Sequence, residues 1–157
     1  MLDERDHPKI SDFGLSSVKR IATQSLRSSG VGSLLWMAPE LFFDAALADA
    51  GAPTQASDVY ALGVLLWECL ARALPYADVA SIRNPAAQLP SLVLNGRRPT
   101  LELLPEDTPA AVRALIEACW VAEPAARPTA AAVAAALEAE VAKASEIAQI
   151  LLFKHKP

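Results

Sequence analysis

From Asp58 to Ala73 the chain carries a helical pattern with no polar side. Val59, Leu62, Val64, Leu65, Leu66, Trp67 and Leu70 fall around nearly the whole circumference of such a helix. A helix that is apolar all round needs cover from several neighbours, so it belongs at the centre of a layered body. Ser57 offers a hydroxyl cap just ahead of it. Asp58 places a carboxylate in the first turn, where the helix dipole favours negative charge. The spacing therefore predicts a central buried helix over roughly 58–73.

The flanking segments supply the cover. Pro39, at a helix start, opens a short helix through Glu40-Leu41-Phe42-Phe43, closed by Gly51, Pro53 and Thr54. Pro75, Pro85 and Pro90 break the next stretch into loop and a short helix that ends at Asn95-Gly96. Thr108-Pro109 restarts a helix through Val112, Leu115, Ile116, Cys119 and Trp120. Thr129 can cap a last helix over roughly 130–153, with Val133, Leu137, Val141, Ala144, Ala148 and Leu151 as one apolar stripe. That stripe packs on the body or binds a partner. Pro8 to Asp12 reads as a short strand, and 15–31, rich in Ser, Gly and basic residues, as a long functional loop.

Composition removes several function classes. The net charge of -4 argues against nucleic acid as the main partner. No uninterrupted apolar run suits a bilayer, since Glu138, Glu140, Lys143 and Glu146 interrupt the best candidate, so no membrane insertion is expected. The N-terminal residues lack the apolar core of a signal peptide. Cys69 and Cys119 have no metal-ligand spacing and read as buried thiols of a reducing, cytoplasmic compartment. At 157 residues the chain is one domain, or part of a larger one.

Four blocks carry the chemistry. In chain order they are Lys9-Ile10-Ser11-Asp12-Phe13-Gly14-Leu15-Ser16, Gly32-Ser33-Leu34-Leu35-Trp36-Met37-Ala38-Pro39-Glu40, Ser57-Asp58-Val59-Tyr60-Ala61-Leu62-Gly63-Val64-Leu65-Leu66-Trp67-Glu68, and Cys119-Trp120 through Glu123-Pro124-Ala125-Ala126-Arg127-Pro128-Thr129. In this order they resemble the C-terminal lobe of a eukaryotic-type protein kinase, closest to the tyrosine-kinase-like Ser/Thr kinases. The resemblance implies a mainly α fold, the helical kinase C-lobe, with at most a short strand pair at the N-terminus. It divides the chain into a partial kinase domain over 1–130 and a C-terminal helix and tail over 131–157.

What the family does with these positions gives the site expectations. Asp12 resembles the Mg²⁺ ligand that bridges the ATP phosphates, and a carboxylate suits that hard cation. Phe13 and Gly14 would gauge and permit the backbone change beside it. Gly32, Ser33 and Trp36 fall in the substrate-docking loop, where Gly-Ser without a following proline implies Ser/Thr acceptors. Glu40 and Arg127 match a buried ion pair, which needs arginine's planar fork. A double charge reversal at that pair should then restore folding lost in either single change. Asp58 resembles the helix anchor of the catalytic loop. Thr23, Ser25, Ser28 and Ser29 are candidate activation-loop phosphosites.

The sequence contains no Gly-rich loop, no Val-Ala-Ile-Lys strand and no His-Arg-Asp catalytic loop. Arg5-Asp6 lies too close to Asp12 to be that loop. The expectation is a Ser/Thr protein kinase domain represented by a C-lobe fragment, with ATP and Mg²⁺ as family cofactors but no binding or phosphotransfer by these residues alone. The N-lobe and catalytic loop are expected to be missing. The alternative is a non-catalytic, pseudokinase-like binding or regulatory module. A protein substrate or a regulatory protein is the partner in either case. An Ala-rich helical scaffold with chance motifs is the third reading.

Overall fold

The computed structural model describes residues 3–5, 7, 9, 10, 31–42, 53–77 and 85–154, with backbone alone at 31–33, 85–87 and 147–154. Among the described residues the fold is mainly helical and contains no strand. Most of the strand expected at 8–12 lies outside them, as do 11–30 and 43–52. Four α-helices follow in order among these residues: α1 (Gln55–Ala71), α2 (Pro85–Leu94), α3 (Ala110–Cys119) and α4 (Ala130–Lys154). Short 3₁₀ turns at Val31–Trp36, Pro39–Leu41, Leu101–Leu103 and Pro124–Ala126 connect or precede them.

α1 starts three residues before the sequence expectation. Thr54 is the cap: its hydroxyl accepts from the Ser57 N–H at 3.2 Å, and the Ser57 hydroxyl accepts from the Thr54 N–H at 2.9 Å. This reciprocal capping box satisfies two orphan donors at once, so Thr54 displaces Ser57 as the terminus. Arg72 ends the helix in the left-handed region at φ 50°, its N–H bonded to the Glu68 carbonyl. The helix is central on one side only. Val59, Tyr60, Gly63, Val64 and Trp67 are buried, while Leu65 is 47% exposed. Cys69, one turn beyond Leu65, is also exposed and so corrects the reading of both thiols as buried.

α3 crosses α1 closely, and glycine makes the approach possible. A Cβ at Gly63 would stand 2.5 Å from the Cys119 Cβ, inside any allowed contact. Gly63→Ala is therefore expected to destabilise the chain by about 1–3 kcal/mol through overpacking, despite alanine's better helix propensity. Urea denaturation followed by far-UV circular dichroism measures it, and an unchanged midpoint would place the crossing elsewhere.

Around this crossing the main core gathers Tyr60, Val64, Trp67, Leu89, Val93, Leu104, Ile116 and Trp120. α2 continues through Pro90, although the prolines suggested a break there. It closes in a Schellman arrangement on Gly96 at φ 88°, with Gly96 N–H bonded to Val93 and Arg97 N–H to Leu92. The Arg113 guanidinium holds the loop before α3 through the carbonyls of Leu101, Leu104, Pro105 and Thr108. A smaller cluster of Val59, Cys119 and Val133, with Leu137 beside it, seats the start of α4. The Thr129 hydroxyl accepts from the Ala132 N–H at 3.1 Å and so caps α4 as its sequence suggests. Along the described part of the α4 stripe, Val133 is buried and Leu137 packs beside it, whereas Val141 is 67% exposed.

Candidate functional site

The segment 31–42 lies against α1 and α2. Gly32 and Ser33 are in the 3₁₀ turn Val31–Trp36. Leu34, Leu35 and Ala38 are buried and fix the segment to the core. Trp36 is half-buried, and its indole Nε1 donates to Glu68 Oε2 on α1 at 2.9 Å. Sequence reasoning gave Glu68 no role. The available signal was a carboxylate at the end of a helix otherwise devoted to burial, within the same block as Asp58. Trp36→Phe removes a hydrogen bond to a charged acceptor and is expected to cost about 1.5–3 kcal/mol. Glu68→Leu, which removes both the acceptor and its charge, should make the Trp36→Phe change nearly silent in a double-mutant cycle read by denaturation.

Downstream, Pro39 presets the helical φ of the next turn and Glu40 follows it. Arg127 reaches Glu40 across the fold. Its Nη1 donates to Glu40 Oε1 at 2.7 Å and its Nη2 to Oε2 at 2.8 Å, a two-pronged contact. The remaining donors go to backbone carbonyls: Nη1 also to Ala56 at 2.9 Å, Nη2 to Ala122 at 3.1 Å and Nε to Val121 at 2.8 Å. The Arg127 side chain is fully buried and that of Glu40 is 22% exposed. Burial pushes the Glu40 carboxyl up. The hydrogen bond and charge of Arg127, the backbone N–H of Glu40 and the charge of Arg98 outweigh burial and hold the carboxyl below its ordinary value.

Two guanidinium groups stand over the ring of Tyr60, Arg127 at 5.0 Å and Arg98 at 5.2 Å from its centroid. Arg98 is itself fixed by the carbonyls of Val93, Arg97 and Trp120. Burial raises the Tyr60 hydroxyl, and the neighbouring arginines offset this only in part. The hydroxyls of Tyr60 and Tyr76 are close, but neither completes a hydrogen bond among the described residues. Tyr76 also sits in the left-handed region at φ 56°.

The structure thus brings Glu40 and Arg127 together and places Trp36 on Glu68. Asp58 lies in the first turn of α1 and is exposed. Asp12, Phe13, Gly14, Thr23, Ser25, Ser28 and Ser29 lie outside the described residues. Among the described residues no group of three or more His, Cys, Asp or Glu could hold a metal ion. Nor is any helix long and apolar enough to cross a membrane.

Comparison with known proteins agrees with the blocks. The family model described as protein tyrosine and serine/threonine kinase matches residues 1–137. Receptor-interacting serine/threonine-protein kinase 3 of Rattus norvegicus is 36% identical over 139 residues, covering 82% of this chain and 27% of that protein. The RGS domain-containing serine/threonine-protein kinase A of Dictyostelium discoideum is 33% identical over 138 residues, 88% of this chain and 11% of that protein. A protein kinase and PP2C-like domain-containing protein of Arabidopsis thaliana is 30% identical over 154 residues, 82% of this chain and 22% of that protein. The chain spans between 8% and 27% of the length of the curated relatives it matches. With its helical C-lobe-like body and a family match over most of its length, the chain belongs to the eukaryotic-type protein kinase family.

Proposed function

We propose that residues 1–157 supply the activation segment and the C-lobe helices of a Ser/Thr protein kinase domain, whose reaction moves the ATP γ-phosphate to a protein hydroxyl. The kinase part runs over 1–130, and 131–157 are an added helix and tail. The arrangement that carries the reading is the Arg127–Glu40 contact, which ties the Ala-Pro-Glu block to the Arg-Pro block across 87 residues. It fixes the segment 31–42, which includes the docking-loop residues Gly32, Ser33 and Trp36, against the lobe. Such a loop, anchored by Leu34, Leu35 and the Trp36–Glu68 bond, can present an acceptor peptide without rearranging.

Kinases of this family use ATP and Mg²⁺, which neutralise and bridge the phosphates. Asp12 supplies one carboxylate for the magnesium from the sequence. The exposed face of α1 at Leu65 and Cys69 is where further helices of a whole domain would lie. A cytoplasmic setting fits an exposed thiol kept reduced.

Radiolabelled phosphotransfer tests both halves of the proposal. Purified residues 1–157 are expected to show no incorporation above an Asp12→Ala control. Fused behind the Gly-rich loop, lysine strand and catalytic loop of one of the relatives above, the same residues are expected to restore transfer to Ser or Thr. Asp12→Ala should abolish it there. A fusion that folds and binds nucleotide but transfers nothing overturns the catalytic reading in favour of a non-catalytic kinase-like module.

A further inference from the structure

Arg98 stands where two helices end. Its Nη1 donates to the carbonyls of Val93 at 3.0 Å and Arg97 at 2.7 Å, on either side of the turn that closes α2. Its Nε donates to the carbonyl of Trp120, the cap of α3, at 2.8 Å. These bonds fix where the positive charge lies. The guanidinium carbon is 5.2 Å from the centroid of the Tyr60 ring on α1, and that of Arg127 is 5.0 Å from the same centroid. Tyr60 is completely buried. One ring therefore joins Arg98 to the arginine that grips Glu40 with two nitrogens.

Two cations beside one ring repel each other, and the ring face offsets only part of that cost. The carboxylate of Glu40 completes the set. Burial opposes ionisation of Glu40, Tyr60 and Tyr76 alike, and the charge of Arg98 works against burial at all three. The other elements around Glu40 bring little competing charge. α2 has no titratable residue. On α1, Asp58 is exposed and Glu68 is engaged by Trp36, while Glu123 ahead of Arg127 is exposed. We propose that Arg98 is a positioning residue for the segment 31–42: standing on the ends of α2 and α3, it holds Tyr60 and supplies the second positive charge that keeps Glu40 on Arg127. That the segment docks an acceptor peptide rests on the reading above.

A double-mutant cycle on residues 1–157, read by urea denaturation, separates this role from that of a plain clamp on carbonyls. The drop in midpoint caused by Glu40→Gln at neutral pH should be smaller in an Arg98→Gln background than in the parent. The decline below about pH 4.5 should also become shallower in Arg98→Gln, because the folded carboxyl titrates closer to its unfolded value. Arg98→Lys keeps the charge and loses the fork, so it should lower the plateau yet preserve both the Glu40→Gln drop and the acid decline. A chain that folds with lysine but not with glutamine likewise places the requirement on charge. In the fusion described above, Arg98→Gln should raise KM for the acceptor peptide severalfold and leave KM for ATP unchanged. A fusion that transfers nothing strikes the docking reading and leaves the denaturation cycle to decide Arg98. An equal Glu40→Gln drop in the parent and Arg98→Gln chains overturns the proposal, as does failure of both Arg98 variants to fold. An unchanged peptide KM in an active fusion overturns it too.

Discussion

Arg127→Ala is expected to remove about 3–5 kcal/mol of stability, the usual cost of leaving one member of a buried ion pair behind. That is most of what a small domain possesses. The effect is large because one side chain closes three separate connections. It holds Glu40 after the turn at 31–36, the Ala56 carbonyl at the start of α1, and the Val121 and Ala122 carbonyls after α3. Arg127→Lys keeps the charge but brings three donors on one nitrogen, where the site uses a planar fork, so about 2–3 kcal/mol should still be lost. The exchange Glu40→Arg with Arg127→Glu should not restore folding. A glutamate at 127 would face three carbonyls that need donors. This revises the simple swap test that the sequence suggests.

Acid provides an independent readout of the same contact. The Glu40 carboxyl is held below its ordinary value of 4.5, so the folded state binds its proton less readily than the unfolded state. The contribution is complete above that value and is lost as the pH falls through the lower folded value. Denaturation midpoints should therefore decline below about pH 4.5 in the parent chain. In Glu40→Gln that portion of the decline should be missing and the plateau lower. A Glu40→Gln chain as stable as the parent at neutral pH would show that the pair contributes nothing.

The sequence made the lobe legible where local chemistry and burial point the same way. α3 and the cap of α4 are set by Pro109 and Thr129 next to clear apolar periodicity, and both formed as read. The start of α1 was less legible because Thr54 and Ser57 are both good caps, three residues apart. Only the reciprocal bonds decide between them. The exposure of Leu65 and Cys69 could not be read at all, since a helical wheel gives the direction of a residue and not what lies there. The same holds for Val141, whose place in the stripe says nothing about cover. Of the site, the Glu40–Arg127 contact follows from residue type and family order. The Trp36–Glu68 bond depends on how a loop crosses a helix 32 residues away, which no local pattern encodes.

Trp67→Ala is expected to cost about 3–5 kcal/mol, as truncations of buried aromatic residues do. Trp67 is 1% exposed and is the largest fully buried side chain among the described residues. It lies where α1 meets the rest of the main core, together with Tyr60, Val64, Leu89 and Ile116. Its indole Nε1 donates to the Thr100 carbonyl at 2.9 Å, so the ring also fixes the loop that follows α2. Trp67→Phe separates these contributions. It keeps most of the volume, loses the bond, and should cost about 1–2 kcal/mol. The consequence reaches the segment 31–42, because the next residue along α1 is Glu68, the acceptor for Trp36. A cavity at Trp67 lets this turn of α1 relax, and the Trp36 bond loosens with it. Hydrogen exchange should therefore speed up over residues 34–42 in Trp67→Ala and change little there in Trp67→Phe. Equal protection of that segment in both variants, despite the expected loss in global stability, would mean that Leu34, Leu35 and Ala38 anchor the loop without help from α1.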